Sequence, residues 1–306
     1  MTSPDHSGRH RLLKNTYGID FPPDFFDFWR FAEENAALLT DAVVALHMTG
    51  PFDLLQNPDL AHDHNALWEA RHYNDPPEFL TVVTGMTDGV HWGYYIDDPD
   101  APPFPLATFY SNDAFELEVA GNNMFEVVRW KIEKCVEDLT GYMEDEPHEE
   151  EYYRIELAKL ARLREILQTY STGDRPETGT EYMRKYKTID TSRYVVAPTR
   201  DRMGIVLNPD KYVPINGNDI FTQWDLSLSP SQVADLEKEA MDLMAQGYPG
   251  AALKLGKDLW AFKDYHETSY RLLHSAYKAL GRPLLQKFLH IAIECRARSD
   301  SMSDLT

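Results

Sequence analysis

Cysteine is nearly missing from this chain. Its 306 residues hold two, Cys135 and Cys295, at a spacing that fits no metal or redox motif. A disulfide framework is therefore excluded, and both thiols read as reduced cysteines of an intracellular, soluble protein. No apolar run reaches the roughly eighteen residues that a membrane span needs. The opening MTSPDHSGRHRLLKN lacks the apolar stretch of a signal peptide. Positive charge is scarce too, with 30 Lys and Arg against 50 Asp and Glu, a formal net charge of −20. Such a field repels phosphate backbones, which argues against direct nucleic-acid binding and favours solubility or a basic partner. There is no P-loop, no GxGxxG and no GxSxG, so nucleotide, dinucleotide and α/β-hydrolase chemistry find no support and no cofactor is expected. Tandem repeats are absent, as is a basic localisation cluster.

The apolar fraction is 43% and the aromatic fraction 12%, enough for a substantial core. FPPDFFDFWRFAEEN (21–35) opens an amphipathic helix, with prolines suited to its first turn and Phe25, Phe28, Trp29 and Ala32 on one face. A second helix is predicted over 35–48. FLTVVTGMTDGVHWGYYID holds two β-rich runs around Thr87-Asp88-Gly89, a hairpin turn. LATFYSN and AFELEVAG read as two more strands, closed by Gly121. The run from Asn123 to Met143 reads as a helix with Phe125, Val128, Ile132, Cys135 and Val136 inward.

EDEPHEEE (144–151) holds six acids and is either a solvated linker or the first turn of the clear helix that follows it. STGDRPETGT (171–180) reads as a loop, and RYVVAPT and MGIVLNP as short extended pieces. Ser229-Pro230 caps a helix that Gly247 ends. The rest is helical, with Arg282-Pro283 starting the last helix. The fold class is therefore α+β. Residues 17–143 form N-terminal helices with an antiparallel sheet, and residues 144–306 form a mostly helical domain. Residues 1–16 and 297–306 are expected to be mobile tails.

Candidate chemistry is sparse. His62-Asp63-His64 with His72 lacks the third spaced ligand of a zinc site, and no metal is expected. Asp97, Asp98 and Asp100 flank Pro99 at a strand exit, where aspartate sets turns through its own backbone. Strand alternation puts Trp92, Tyr94 and Ile96 on the core face. It leaves His91 opposite, as a partly exposed hydrogen-bonding or surface-site residue.

WEARHYNDPPEF (68–79), HWGYYIDDPDAPPFP (91–105), NNMFEVV (122–128) and YPGAALKLGKDLW (248–260) resemble, in order and spacing, the histone PARylation factor 1 family. The family pattern runs through DPPEF, H-x-G-Y-x-x-D-x-P-D, an N-x-F helix and an L-x-L-G-x-D-L helix, and covers roughly residues 17–295. The resemblance implies an α+β domain followed by a helical one. It also implies an accessory role rather than an enzyme's, in ADP-ribosylation and the DNA damage response. The partner would be the catalytic domain of an ADP-ribosyltransferase, with a shared NAD site, and a histone or other basic protein would be a further partner. The compartment would be nuclear in a eukaryote and cytoplasmic in a bacterium.

In the family an Asp-Glu pair precedes the L-x-L-G-x-D-L helix, and its glutamate takes the proton of an acceptor serine. A serine hydroxyl is a poor nucleophile until a placed carboxylate does so. Here the pair falls on Ala245 and Gln246, or on Met244 and Ala245 if Tyr248 is the anchor, and neither register holds an acid. No catalytic residue is expected. Asp242, one helical turn upstream, is the nearest substitute. The partner-binding Tyr-Arg pair matches Tyr212-Val213, so the tyrosine is kept and the arginine lost. Tyr212, Tyr248, Lys254, Lys257 and Asp258 are the expected partner-binding residues, with the two lysines suited to a pyrophosphate. The order of helices, meander and helix also resembles, more loosely, SUKH-type immunity proteins, which would make the chain a module that neutralises a basic partner.

Overall fold

The computed structural model of the chain describes residues 7–41, 43–63, 68, 70–86, 88–100, 102–112, 115–170, 195–215 and 228–303. The expected loop at 171–180, Thr87 of the hairpin turn and His64 lie outside them.

The centre is a five-stranded antiparallel meander in the order β1-β2-β3-β4-β5. Its strands are β1 (His47–Met48), β2 (Phe79–Thr84), β3 (Val90–Tyr95), β4 (Leu106–Tyr110) and β5 (Leu117–Gly121). The β2–β3 hairpin turns where Asp88 and Gly89 take φ of 53° and 64°, the left-handed pair that matches strand twist. Helices α1 (Ser7–Tyr17), α2 (Pro23–Glu34), α3 (Ala36–Leu39) and α4 (Pro51–Gln56) precede or follow the edge strand β1. The long α5 (Met124–Asp145) follows β5, capped by Asn123, whose side chain accepts from the Glu126 N–H. Then α6 (Glu150–Gln168) folds back along it, reached through a 3-10 turn at Pro147–Glu149, so the acidic run is the corner of a helical hairpin.

Short strands β6 (Val195–Ala197) and β7 (Ile205–Val206) pair with each other. Four helices follow among the described residues: α7 (Pro230–Ala245), α8 (Gly250–Leu259), α9 (His266–Ala279) and α10 (Pro283–Ser303). The Ser229 cap is present as a full capping box with Gln232. No helix among the described residues is long and apolar enough to cross a membrane.

Three local expectations need correction. Residues 7–16 are not a mobile arm. They lie in α1, which Leu13 and Tyr17 pin into the core at i, i+4, while His10 stacks on Phe26 at 3.8 Å. Only two buried side chains make that anchor, too few to stand out as a periodicity. The helix expected over 35–48 stops at Leu39. Ala45 takes a φ of 50°, and the Leu46 N–H donates to the Leu39 carbonyl, turning the chain so that His47 and Met48 can pair with Thr84 and Val83. The described part of the C-terminal tail, 297–303, continues α10, because no Gly or Pro follows Pro283 to stop it.

The larger departure concerns the sheet. An antiparallel meander usually leaves one face wet, yet every residue of β3 is buried. Trp92, Tyr94 and Ile96 face the large core with Phe25, Phe52 and Phe125, as expected. On the other face Phe79, Tyr95, Ala107, Phe109 and Leu117 form a second apolar cluster closed by Met203. His91 is therefore fully buried rather than partly exposed.

Candidate partner-binding site

The second sheet face is charged as well as apolar, and its charges come from the resemblance segments. His91 Nδ1 donates to the Gly89 carbonyl at 2.7 Å and its Nε2 to Asp75 Oδ1 at 2.8 Å. Asp75, from DPPEF, also accepts the His72 N–H and the Thr81 hydroxyl through its other oxygen. Burial alone raises the Asp75 carboxyl, but His91 and Arg71 beside it more than offset that and hold it below the usual carboxylate range. His72 stacks on His91 at 4.2 Å, and burial, then the His91 charge, push its own pKa down. Arg71 donates to the carbonyls of Phe79, Asp75 and Pro76 and so holds the DPPEF turn closed.

Lys257 is the joint between sheet and helices. It is 5% exposed, and its Nζ donates to the Tyr95 hydroxyl and to the Gly204 carbonyl at 2.8 Å. It lies 3.2 Å from Asp201 Oδ2 and 3.9 Å from Glu78 Oε1. Burial works against its ammonium form, but Asp201 and Glu78 outweigh burial, so its pKa is raised. Glu78 in turn accepts the Tyr277 hydroxyl from α9 at 2.5 Å. The other Glu78 oxygen has no hydrogen-bond partner among the described residues, and Glu78 lines a cavity of about 20 Å³, room for one water. Trp260 donates its indole N–H to the Asp75 carbonyl at 3.0 Å. Asp97 and Asp98 do set the strand exit, each accepting a backbone N–H just ahead of it, and Asp98 also pairs with Arg282 at 3.1 Å.

Asp258, next to Lys257, is wholly buried and accepts the Arg200 N–H at 2.8 Å and the Lys254 ammonium at 2.7 Å. Burial is the largest influence and pushes its pKa up to about 6. A carboxyl with a raised folded-state pKa binds more protons folded than unfolded. Its contribution to stability therefore falls as pH rises from about 4 to about 6. Relative to Asp258→Asn, the wild-type chain is expected to lose about 2–3 kcal/mol between pH 4 and pH 7. Urea midpoints across that range measure it, and parallel pH profiles for the two chains would show that the carboxyl is not held up.

The expected partner-binding residues thus separate into two groups. Lys257 and Asp258 face inward, and Lys254 is mostly covered by its pair with Asp258, its side chain 15% exposed. Neither lysine ammonium stands clear for a pyrophosphate. Ala245, Gln246 and Tyr248 form the corner between α7 and α8, and Tyr212 lies against Gly250 at the start of α8. The corner is a Schellman turn: the Gly247 N–H donates to the Met244 carbonyl and the Tyr248 N–H to the Leu243 carbonyl. Gly247 carries a φ of 98°, which is why glycine stands there. Gly250 opens α8 because Tyr212 lies against it. A Cβ at 250 would sit 3.0 Å from both the Tyr212 ring and the Lys211 carbonyl. Tyr212 and Tyr248 are half-buried, and Ala245 and Gln246 are exposed.

Asp242 is exposed and forms an ion pair with Lys238 at 2.7 Å, one turn back. Helical side chains lean toward the N-terminus, so this carboxylate is drawn away from Gln246. The Gln246 side-chain amide donates instead to the Asp242 backbone carbonyl. Sequence reasoning missed Tyr95, Glu78, Asp201, Tyr277 and Asp75 as charged or polar joints. DPPEF and HWGYY were the signal, but they gave no hint that the sheet has a second buried face.

This geometry defines a protein whose surface corner offers aromatic contacts and no carboxylate at 245–246, braced from behind by a buried ionic joint. A family model described as Histone PARylation factor 1 matches residues 9–214. The chain is 25% identical to Histone PARylation factor 1 of Mus musculus, over 97% of this chain and 90% of that protein. It is likewise 25% identical to the Bos taurus protein, over 94% and 87%. To the Danio rerio protein it is 34% identical, over 38% and 35%. The chain belongs to the histone PARylation factor 1 family.

Proposed function

We propose that this protein is a non-catalytic accessory factor of ADP-ribosylation that binds an ADP-ribosyltransferase catalytic domain without supplying a general base. Family membership supports the accessory role. The observation that carries the rest is the α7–α8 corner, where Tyr248 follows an exposed Ala245-Gln246 and Tyr212 lies against Gly250. A half-buried aromatic on a rigid turn is a good interface anchor, because little side-chain entropy is lost on binding. The amide of Gln246 takes no proton at neutral pH, and Asp242 is engaged by Lys238. Lys257 and Asp258 act in this reading from behind, by holding α8 in place, and Lys254 contributes its stem at the rim. A basic acceptor such as a histone suits the −20 charge. In a eukaryote the reading places the protein in the nucleus.

The test is to mix the protein with a poly(ADP-ribose) polymerase catalytic domain, NAD and a serine-containing acceptor. Expected are saturable binding, a loss of about tenfold or more in affinity for Tyr212→Ala, and no gain in serine modification. Failure to bind the transferase sinks the reading. Serine modification that rises with the wild-type chain and vanishes in Asp242→Asn shows instead that Asp242 is the base.

A further inference from the structure

The α5–α6 corner carries features that the fold does not require. Tyr142, Tyr152 and Ile155 are among the few large apolar side chains left open to solvent, at 54%, 48% and 52% exposure. They are neighbours: the Tyr142 and Tyr153 rings lie 6.3 Å apart, Tyr152 and Tyr153 5.5 Å apart, and Ile155 follows Tyr152 by three residues on one helix. Exposed apolar side chains gathered around one buried ring in this way mark an interaction surface.

Its surroundings say what it meets. Glu144, Asp145, Glu146, Glu149, Glu150 and Glu151 are all exposed around it. The last three suit the positive end of α6. Glu144 and Asp145 do not suit the fold, because they occupy the last turn of α5, where the helix dipole is negative and no basic residue stands, whereas Glu146 accepts the Tyr153 hydroxyl at 2.5 Å and Glu150 pairs with Arg154 at 2.6 Å. Acids kept where they cost stability, beside open tyrosines, match a ligand rather than the fold.

We propose that this corner is a docking surface for a lysine- and arginine-rich protein segment that carries an apolar anchor. The tyrosine faces take guanidinium or ammonium groups by cation–π contact, Ile155 takes the anchor, and the acids set charge complementarity. This deepens the reading above by locating the surface for a basic acceptor, yet it is measured without any transferase. Failure of either reading is therefore seen separately.

The probe is a fluorescently labelled twenty-residue peptide of alternating lysine, arginine and glycine with two leucines, followed by anisotropy. Binding by the full chain is expected to be saturable and to weaken as salt rises. Tyr142→Ala with Tyr152→Ala, both at the surface, is expected to weaken it about tenfold or more. Glu144→Gln with Asp145→Asn is expected to weaken binding several-fold while raising Tm by roughly 1–3 °C, since it relieves the end of α5. The charge-matched control, Asp59→Asn with Asp264→Asn, is expected to leave binding unchanged. No saturable binding by the wild-type chain overturns the proposal. So does an equal loss in the control pair, or full binding by the tyrosine variant, either of which shows diffuse attraction to a −20 surface.

Discussion

Lys257→Met is expected to destabilise the protein by about 3–5 kcal/mol, the cost of leaving buried carboxylates without their cation. The change removes a side chain that is 5% exposed and stands between Asp201 and Glu78. Methionine fills nearly the same volume, so lost packing contributes little. The Tyr95 hydroxyl and the Gly204 carbonyl lose a partner at the same time. Urea denaturation reads the effect as a lower midpoint at unchanged slope. The triple change with Glu78→Gln and Asp201→Asn is expected to recover part of the loss, because neutral amides need no counter-ion. If Lys257→Met alone costs under about 1 kcal/mol, the ammonium is not what joins the sheet to α8. Under the proposed function the joint bears on binding, because α8 begins beside Tyr248. Weakening it is expected to blunt transferase binding although Lys257 does not reach the surface.

If the proposed function holds, Gln246→Glu is expected to give the complex with the transferase a serine-directed activity. Under the proposed reading, a carboxylate at the exposed C-terminal turn of α7 faces the acceptor hydroxyl in the shared site. General-base catalysis contributes about 10²–10⁴ in rate. The gain in serine-linked ADP-ribose should follow the ionisation of the new glutamate, small below about pH 4 and full above about pH 6. The substitution places a negative charge at the negative end of α7, at a stability cost of about 0.3–1 kcal/mol. That cost is too small to unfold the corner, so binding should persist. Retained binding with no new serine modification would place the acceptor elsewhere. It would also count against the absence of an acid at 246 as the reason for inactivity.

Much of the molecule was legible from local pattern. The four main strands, the Asp88-Gly89 turn, α2, α5, α6 and the Ser229-capped α7 follow from alternation, helical spacing and capping chemistry, which act over a few residues. Illegible were the features that depend on distant chain. The 35–48 segment has a helical composition, but sheet pairing at His47 and Met48 overrode it. The His91 position turned on what covers β3. Alternation tells one face from the other and does not reveal that a second layer will bury both.

The amino-acid sequence by itself determined the order of the main strands and helices, the α+β class, the acidic charge and the family segments. Each of these rests on composition or on neighbours within one or two turns. Only the tertiary structure decided what those segments are for. Asp75 lies sixteen residues from His91, and Glu78, Tyr95, Asp201, Lys257 and Tyr277 are spread over 199 residues, yet they form buried pairs. Charges of opposite sign are stable inside a protein only when folding brings them within contact distance. That closure across chain length turned two motif segments that look like an acid/base site into a buried ionic joint between the sheet and the helices.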